Sequence, residues 1–294
     1  MTGRTSSFEA IGTRWDITIK DAIKDDAWFE LIQKIYLRIQ AFDKAYSRFR
    51  SDSLVTYMSG TPGTYELPPD GFDMLTFYKQ LYEATQGKVT PLIGQALSDA
   101  GYDANYSFKE KTLHHPPLWE DALSFDKHSI EVKRPALLDF GAAGKGYLID
   151  IVGDLIDQAD IHSYTINAGG DILHRTSDTT ALEVGLENPV DTTEAVGIVQ
   201  LHNRSLCASA GSRRKWGKFH HIIDPIDLQS PSEVIATWVI ADTTMLADGL
   251  ATALFFTSPD SLSQRFNFSF AVLYKDMSIQ RSKDLAASFF EEKA

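Results

Sequence analysis

The stretch "MLADGLATALFF", residues 245–256, sets one carboxylate, Asp248, four residues before a hydroxyl, Thr252, inside an otherwise apolar run. Read as a helix, Leu246, Leu250, Ala253 and Leu254 pack against a core, and positions four apart share a face, so Asp248 and Thr252 project together. An ionised carboxylate in apolar surroundings is costly unless a cation or hydrogen-bond donors compensate it. Either these oxygens reach a solvated edge or something sits on them, and a divalent cation is the sharper of the two readings.

A second stretch, "LLDFGAAGKGYLIDIVGDLI", arranges Gly141, Gly144 and Gly146 around Lys145 between an apolar strand end and a helix with Leu148, Ile149, Val152, Leu155 and Ile156 at helical spacing. Glycines let a ligand approach the backbone, free N–H groups of a new helix favour anions, and a lysine adds a point charge. That chemistry handles phosphate. The spacing matches neither GxxxxGK[ST] nor GxGxxG, so a tight strand-to-helix turn is the competing reading.

"INAGGDI" places Gly169 and Gly170 before Asp171, another point where backbone can come close to a ligand. "CASAGSRRKWGKFHHIIDP" then gathers Ser209, Gly211, Arg213, Arg214, Trp216, His220, His221 and Asp224. Arginines there can pair with phosphate or carboxylate, and a histidine can move a proton near neutral pH; a solvated hairpin rim is the alternative for the arginines. Ser209, His221 and Asp224 are the residue types of a hydrolase triad, but nothing around Ser209 resembles a GxSxG elbow.

Composition limits what these residues serve. The chain has 294 residues, 43% of them hydrophobic, enough for one large or two intermediate domains. A net charge of −12 lacks the basic footprint that nucleic acid requires. An anionic ligand therefore needs a local device such as a cation or a glycine loop. Cys207 is the single cysteine, which excludes an intramolecular disulfide and a cysteine-rich metal site. The sequence as given opens without an apolar signal-peptide segment and contains no run of membrane-spanning length. The expected location is cytoplasmic, or exported if a leader was removed.

The positioning elements read as follows. "TRWDITIK" alternates Trp15, Ile17 and Ile19 against polar residues, the pattern of a strand with one wet face. "DDAWFELIQKIYLRIQAFDKAY" carries Trp28, Leu31, Ile32, Ile35, Ile39 and Phe42 at helical spacing behind an expected Asp cap. A second helix is expected from about Asp70 to Thr85, ending at Gly87. Residues 101–120, with "HHPPLW", read as a surface excursion; His114 and His115 could bind metal there, but adjacent histidines beside Pro-Pro in a loop are expected to be solvated. From residue 129, short β runs ("SIEVKR", "YTINAGG", "ALEVGL", "GIVQLH", "IATWVIA", "FAVLYK") alternate with three helical segments. Mixed order of strands and helices predicts an α/β or α+β architecture.

Taken in order, "FEAIGTRWDITI", "FDKAYSRFRSDS", "GKVTPLIGQAL", "LDFGAAGKGYLID", "INAGGDI", "ASAGSRRKW", "HHIIDP" and "ADGLAT" resemble the ApbE family, flavin transferases that move FMN from FAD onto a threonine or serine of a target protein. The resemblance covers nearly the whole chain. It implies one α+β unit over residues 1–294, built of mixed sheets with packed helices and closely associated lobes. In the family, the Asp and Thr of the closing helix bind a divalent ion, normally Mg²⁺; they match Asp248 and Thr252. A backbone carbonyl before the loop lysine, mapping to Gly144, completes the protein's share.

The resemblance further implies attack of a target hydroxyl on the riboflavin-side phosphorus of FAD, with release of AMP. Lys145 would neutralise charge on the pyrophosphate, His221 would transfer a proton or position the target, and Asp224 would orient His221. FAD contacts are implied for Gly12 and Thr13 of the "IGT" element, Ser47 and Phe49 of "YSRF", Asn167, Gly169, Gly170 and Asp171 of "NAGGD", and Ser209 and Gly211. Phe49 is a candidate to lie against the isoalloxazine. Three departures stand out: Ile11 where the family usually has Met, Ala210 in place of a hydroxyl residue, and "DPIDL", in which Asp227 and Leu228 replace Thr and Gly. The implied partners are FAD and an acceptor flavoprotein of an electron-transfer system, with no nucleic acid. The alternatives are a metal-dependent FAD pyrophosphatase and a non-catalytic FAD-binding protein.

Overall fold

The computed structural model describes residues 3–290. The chain opens with a hairpin, β1 (Arg4–Ala10) and β2 (Thr13–Ile19), followed by the long helix α1 (Asp25–Tyr46), α2 (Leu54–Gly60), β3 (Gly63–Glu66) and α3 (Gly71–Ala84). A 3₁₀ turn at Pro91–Ile93 leads into α4 (Gly94–Asp99), and α5 (Trp119–Ala122), β4 (Leu123–Phe125) and β5 (Ser129–Val132) precede α6 (Gly144–Asp157). Then come β6 (Tyr164–Ala168), β7 (Asp171–Arg175), β8 (Leu182–Glu187), β9 (Ala195–Leu201), β10 (Ser205–Ala210), β11 (Lys215–Trp216) and β12 (Phe219–His220). The chain continues through β13 (Val234–Ala241), α7 (Thr244–Ala253), α8 (Pro259–Ser263), β14 (Ser269–Tyr274), β15 (Ile279–Arg281) and β16 (Ala287–Phe289).

Eight strands form one sheet in the order β1-β2-β6-β7-β10-β13-β14-β15. Every pair in it is antiparallel. The fold is thus α+β, with helices packed on antiparallel sheets.

Period-2 burial decides which face holds what. On β2, Trp15, Ile17 and Ile19 are fully buried in the main core, as their alternation predicts. Strand β13 is apolar apart from Thr237, whose hydroxyl donates to the Ala251 carbonyl at 2.7 Å, because both its faces are covered. Val239 and Ala241 join the main core with the helices, while Ala236, Trp238 and Ile240 face a second core against Leu186, Val199 and Leu201 of β8 and β9.

Helix α1 buries Leu31, Ile35, Ile39, Phe42 and Tyr46, close to the expected stripe, with Trp28 and Ile32 only partly buried. Its N-cap is Lys24, with no side-chain cap; Asp25 and Asp26 lie inside the first turn, where their charge complements the helix dipole. That corrects the expected Asp cap. Helix α3 spans Gly71–Ala84, within the expected limits.

The excursion after Gly101 is irregular as far as α5, yet it is not merely solvated. Tyr102 is buried and stacks on Trp216, whose indole N–H donates to the Ala100 carbonyl at 2.7 Å. His114 is exposed and meets the Asp99 carboxylate at 2.8 Å; His115 Nδ1 lies 3.1 Å from the Pro225 carbonyl.

Candidate active site

Helix α7 fits its place because its small residues admit close neighbours. A Cβ on Gly249 would sit 2.6 Å from the Phe77 ring of α3. On the opposite side, a Cβ on Gly146 of α6 would sit 2.3 Å from the Thr244 carbonyl oxygen and 2.7 Å from Asp248 Cβ. Gly146 is therefore glycine so that α6 and α7 can touch backbone to backbone. Asp150, one turn further along α6, accepts the N–H groups of Thr244 at 2.7 Å and Met245 at 2.8 Å, closing the start of α7. The first-turn donors of a helix need such acceptors.

This contact brings the lysine loop to the metal-type carboxylate. Asp248 is buried, and its Oδ2 accepts the Gly146 N–H at 2.8 Å. Lys145 Nζ lies 4.0 Å from Asp248 Oδ1 and is ion-paired with Asp171, itself buried at the start of β7. Burial pushes the Asp248 carboxyl above its ordinary range, and Lys145 and the Gly146 N–H oppose that shift. A carboxylate whose desolvation outweighs its donors suits a cation. The oxygen donors of Asp248, Asp171 and Thr252 fit a hard divalent ion such as Mg²⁺.

These residues line one cleft of about 720 Å³, a volume within the range of small-molecule sites. From the N-terminal half come Gly12, Thr13, Phe49, Lys88 and Asp139; from the centre Lys145, Asn167, Gly169, Gly170 and Asp171; from the C-terminal half Ser209, Arg214, His221, Asp248 and Thr252. Most of the sequence-expected residues therefore meet here. Gly144, Ser47, Gly211 and Asp224 are not on its wall. Gly144 is buried in the first turn of α6 beside Phe140, and Ser47 is the C-cap of α1. Gly211 packs on the His220 ring, which a Cβ would meet at 3.2 Å.

His221 presents a partly exposed side chain to the cleft while its Nδ1 is fully buried without a hydrogen-bond partner. Burial, reinforced by Arg214, lowers its pKa to about 3, so the imidazole is neutral. Asp224 does not reach it: that carboxylate pairs with Lys88 at 2.7 Å and accepts the Ile226 N–H at 2.8 Å. The expected orienting contact between Asp224 and His221 is absent among the described residues. His220 is the anchored member of the pair, donating from Nε2 to the Pro231 carbonyl at 2.9 Å and accepting the Ile222 N–H on Nδ1 at 3.2 Å.

Phe49 lies on the cleft wall beside aromatic and cationic neighbours. Tyr106 stacks on it, nearly parallel at 5.2 Å between centroids, while the Arg48 guanidinium carbon lies 4.2 Å from the same centroid.

Reasoning from sequence missed Arg48 and Asp139. Arg48 is buried, pairs through Nε with Asp139, and donates from Nη1 to the Tyr102 carbonyl at 2.7 Å. Asp139 in turn accepts the Gly141 N–H at 2.7 Å. Together they bolt the lysine loop to the end of α1. "YSRF" and "LLDFG" contained both residues, but nothing in their spacing pairs positions so distant.

The departures have a backbone signature. Ile11 and Gly12 form the β1–β2 turn with φ of 46° and 75°, and Leu228 has φ of 57°. Positive φ is costly for a residue with a Cβ, more so for β-branched Ile11. Leu228 thus keeps a conformation that glycine adopts freely, held by its N–H to the Asp224 carbonyl at 2.8 Å.

The sequence profile described as the ApbE family matches residues 11–269. The chain belongs to the ApbE family. A protein named FAD:protein FMN transferase from Klebsiella pneumoniae (strain 342) is 24% identical over 281 residues, covering 87% of this chain and 79% of the relative. The protein of the same name from Escherichia coli (strain K12) gives the same identity and coverage. Among solved structures, flavin transferase ApbE from Vibrio cholerae superposes with a TM-score of 0.79 at 19% identity, over 95% of this chain and 96% of that one. The ApbE protein of Thermotoga maritima gives 0.82 at 19% identity, over 96% and 97%. These likenesses establish the ApbE fold for this chain.

Proposed function

We propose that this ApbE-family protein is a FAD:protein FMN transferase that moves the FMN half of FAD onto a serine or threonine hydroxyl of an acceptor flavoprotein and releases AMP. The observation that carries the reading is the convergence of Lys145, His221, Asp248 and Thr252 on one cleft of about 720 Å³.

The acceptor hydroxyl attacks the riboflavin-side phosphorus; an oxygen–phosphorus bond forms there and the anhydride bond to AMP breaks. His221 accepts the hydroxyl's hydrogen bond on a ring nitrogen of its neutral imidazole and passes the proton on to solvent as the oxygen–phosphorus bond forms. Lys145 turns from Asp171 to the pyrophosphate and neutralises charge on the departing AMP. Asn167, Gly169 and Gly170 form a bare turn at the cleft wall: the Gly170 N–H donates to Asn167 Oδ1 at 2.9 Å, and a Cβ on Gly169 would strike Thr13 Oγ1. Such a turn lets the flavin approach main chain. Asp248 and Thr252, with Asp171 beside them, would hold a divalent ion, expected to be Mg²⁺, which when bound supplies Lewis-acid stabilisation of the phosphates.

The test incubates the purified protein with FAD and Mg²⁺, with and without a flavin-accepting electron-transfer subunit, and follows AMP, free FMN and protein-bound flavin. AMP matched by protein-bound FMN is the expected result. AMP matched by free FMN in both incubations would make the protein a FAD pyrophosphatase, and FAD retained intact with several acceptors would make it a binding protein.

A further inference from the structure

Cys207 lies on β10, fully buried behind the cleft wall, and the transfer reaction gives it no task. Its Sγ, one oxygen of Asp171 and one oxygen of Asp248 all lie within 4.8 Å of one another, and all three residues are buried. They come from β7, β10 and α7, so the cluster is made by the tertiary fold and not by a local turn. Among the described residues the thiol's only hydrogen bond is a long one, to the Thr244 carbonyl at 3.6 Å. A cation already favours this point: the Lys145 ammonium sits on Asp171 and 4.0 Å from Asp248.

Ligand chemistry separates the ions such a pocket would take. Mg²⁺ is hard, takes oxygen ligands and gains nothing from sulfur. Zn²⁺ and Co²⁺ bind thiolate and carboxylate together, with metal–ligand bonds of about 2.0–2.3 Å that place ligand atoms roughly 3.3–3.8 Å apart on a tetrahedral ion. The three side chains reach that spacing by closing about 1 Å. A sulfur among the carboxylates therefore turns a site that is neutral between hard ions into one that favours thiophilic ions.

We propose that Asp171, Cys207 and Asp248 form a mixed carboxylate–thiolate site for thiophilic divalent ions such as Zn²⁺, whose occupation displaces Lys145 and blocks the reaction. On binding, a metal–sulfur bond forms, the thiol proton leaves to solvent, and the Lys145–Asp171 ion pair breaks while Lys145 keeps its charge. No electron is transferred. The inhibitory consequence rests on the transferase reading; the site itself does not.

The deciding experiment adds Co²⁺ to metal-free protein and records its absorption spectrum. Because Cys207 is the only cysteine of the chain, any thiolate-to-cobalt charge-transfer band reports that residue alone. The parent is expected to show the band together with the intense visible bands of a four-coordinate ion. Asp171→Asn and Asp248→Asn should weaken it. Cys207→Ser, which keeps a donor for the Thr244 carbonyl, should lack the charge-transfer band. A parent without the band overturns the proposal, and so does a band that both Asn variants leave at full strength. Changing even outer partners of metal ligands costs roughly tenfold or more in affinity, so Cys207→Ser should need at least roughly tenfold more Zn²⁺ for half-inhibition of Mg²⁺-supported transfer. Equal inhibition of parent and variant would remove the blocking role, while absence of transfer in both would count against the transferase reading and leave the cobalt result standing.

Discussion

Gly146 of α6 and Thr244 of α7 meet backbone to backbone, with room for a hydrogen atom and none for a methyl group: a Cβ at Gly146 would lie 2.3 Å from the Thr244 carbonyl oxygen. The same contact delivers the Gly146 N–H to Asp248. Gly146→Ala must therefore push the two helices apart and open the lysine loop. The expected cost is about 1–3 kcal/mol of stability, the usual penalty for overpacking, together with weakened FAD binding; thermal melting and FAD titration on one preparation check both. An Ala variant with parental melting and affinity would mean that the helices do not rely on this approach.

Asp248→Ala removes the buried carboxylate and installs the strongest helix former. Activity that depends on Mg²⁺ should be lost while circular dichroism stays parental, with a stability loss of no more than about 1–3 kcal/mol from the Gly146 N–H that loses its acceptor. Should the variant turn over FAD as fast as the parent, the assignment of Asp248 to the metal would be wrong.

His221→Ala deletes the proton acceptor. Positioned acid–base groups contribute roughly 10²–10⁴-fold, so transfer to an acceptor should fall by about that factor while FAD affinity changes little. Burial holds the imidazole's pKa at about 3, well below its ordinary value. The group is therefore neutral across pH 5–8, and the activity profile should lack an acid limb near pH 6.5 from this residue. A limb there that vanishes in the Ala variant would show that His221 titrates normally.

Asp150 gives a stability test that does not involve the cleft chemistry. Burial raises its carboxyl to about 6 from an unfolded value near 3.8, against the lowering effect of the Thr244 and Met245 N–H groups. The folded chain therefore holds a proton that the unfolded chain lacks between those two values. By linkage, this group's contribution is fully present below pH 3.8 and declines as pH rises through about 6. Asp150→Asn keeps an acceptor for the α7 donors and cannot ionise. The parent-minus-variant difference in unfolding free energy should therefore fall by on the order of 2 kcal/mol from pH 4 to pH 7. A flat difference would show that Asp150 is not shifted.

Arg48 and Asp139 form the pair that holds the lysine loop to α1, and breaking one partner of a buried pair strands the other charge. Arg48→Met should cost about 3–5 kcal/mol, and Arg48→Met with Asp139→Leu should recover much of it. If the double variant is no more stable in denaturant melts than Arg48→Met, the pair does not act as a unit.

How much of this was legible beforehand depended on range. Trp15, Ile17 and Ile19, the stripe on α1 and the apolar face of α6 announced themselves through period, because each pattern is local and buries one face. Strand β10, "SLCASA", carries small residues and little β-branched character, so its central place in the sheet came from partners on both sides. Edge strand β1 is mostly polar and half-buried, which hid it as well. In the site, Asp248, Thr252 and Lys145 were readable because a charge or glycine cluster was out of character with its run. Arg48 with Asp139, and Lys88 with Asp224, are ion pairs 91 and 136 residues apart, and no spacing rule reaches that far. The ring of Phe49 marks it as a flavin neighbour, but its own neighbours Tyr106 and Arg48 follow from tertiary packing.

The cleft wall runs from Gly12 in the first hairpin to Phe256 just past α7. In the sheet, β2 pairs with β6, and β10, which meets β7 only at Ser205 and Leu206, is paired along its length by β13. During synthesis on the ribosome, a chain that has delivered the glycine loop and Lys145 still lacks Asp248, Thr252 and the strand beneath them. The cleft is therefore complete only once α7 has emerged and docked against α6, so on the transferase reading a partial product has no site at which to turn over FAD.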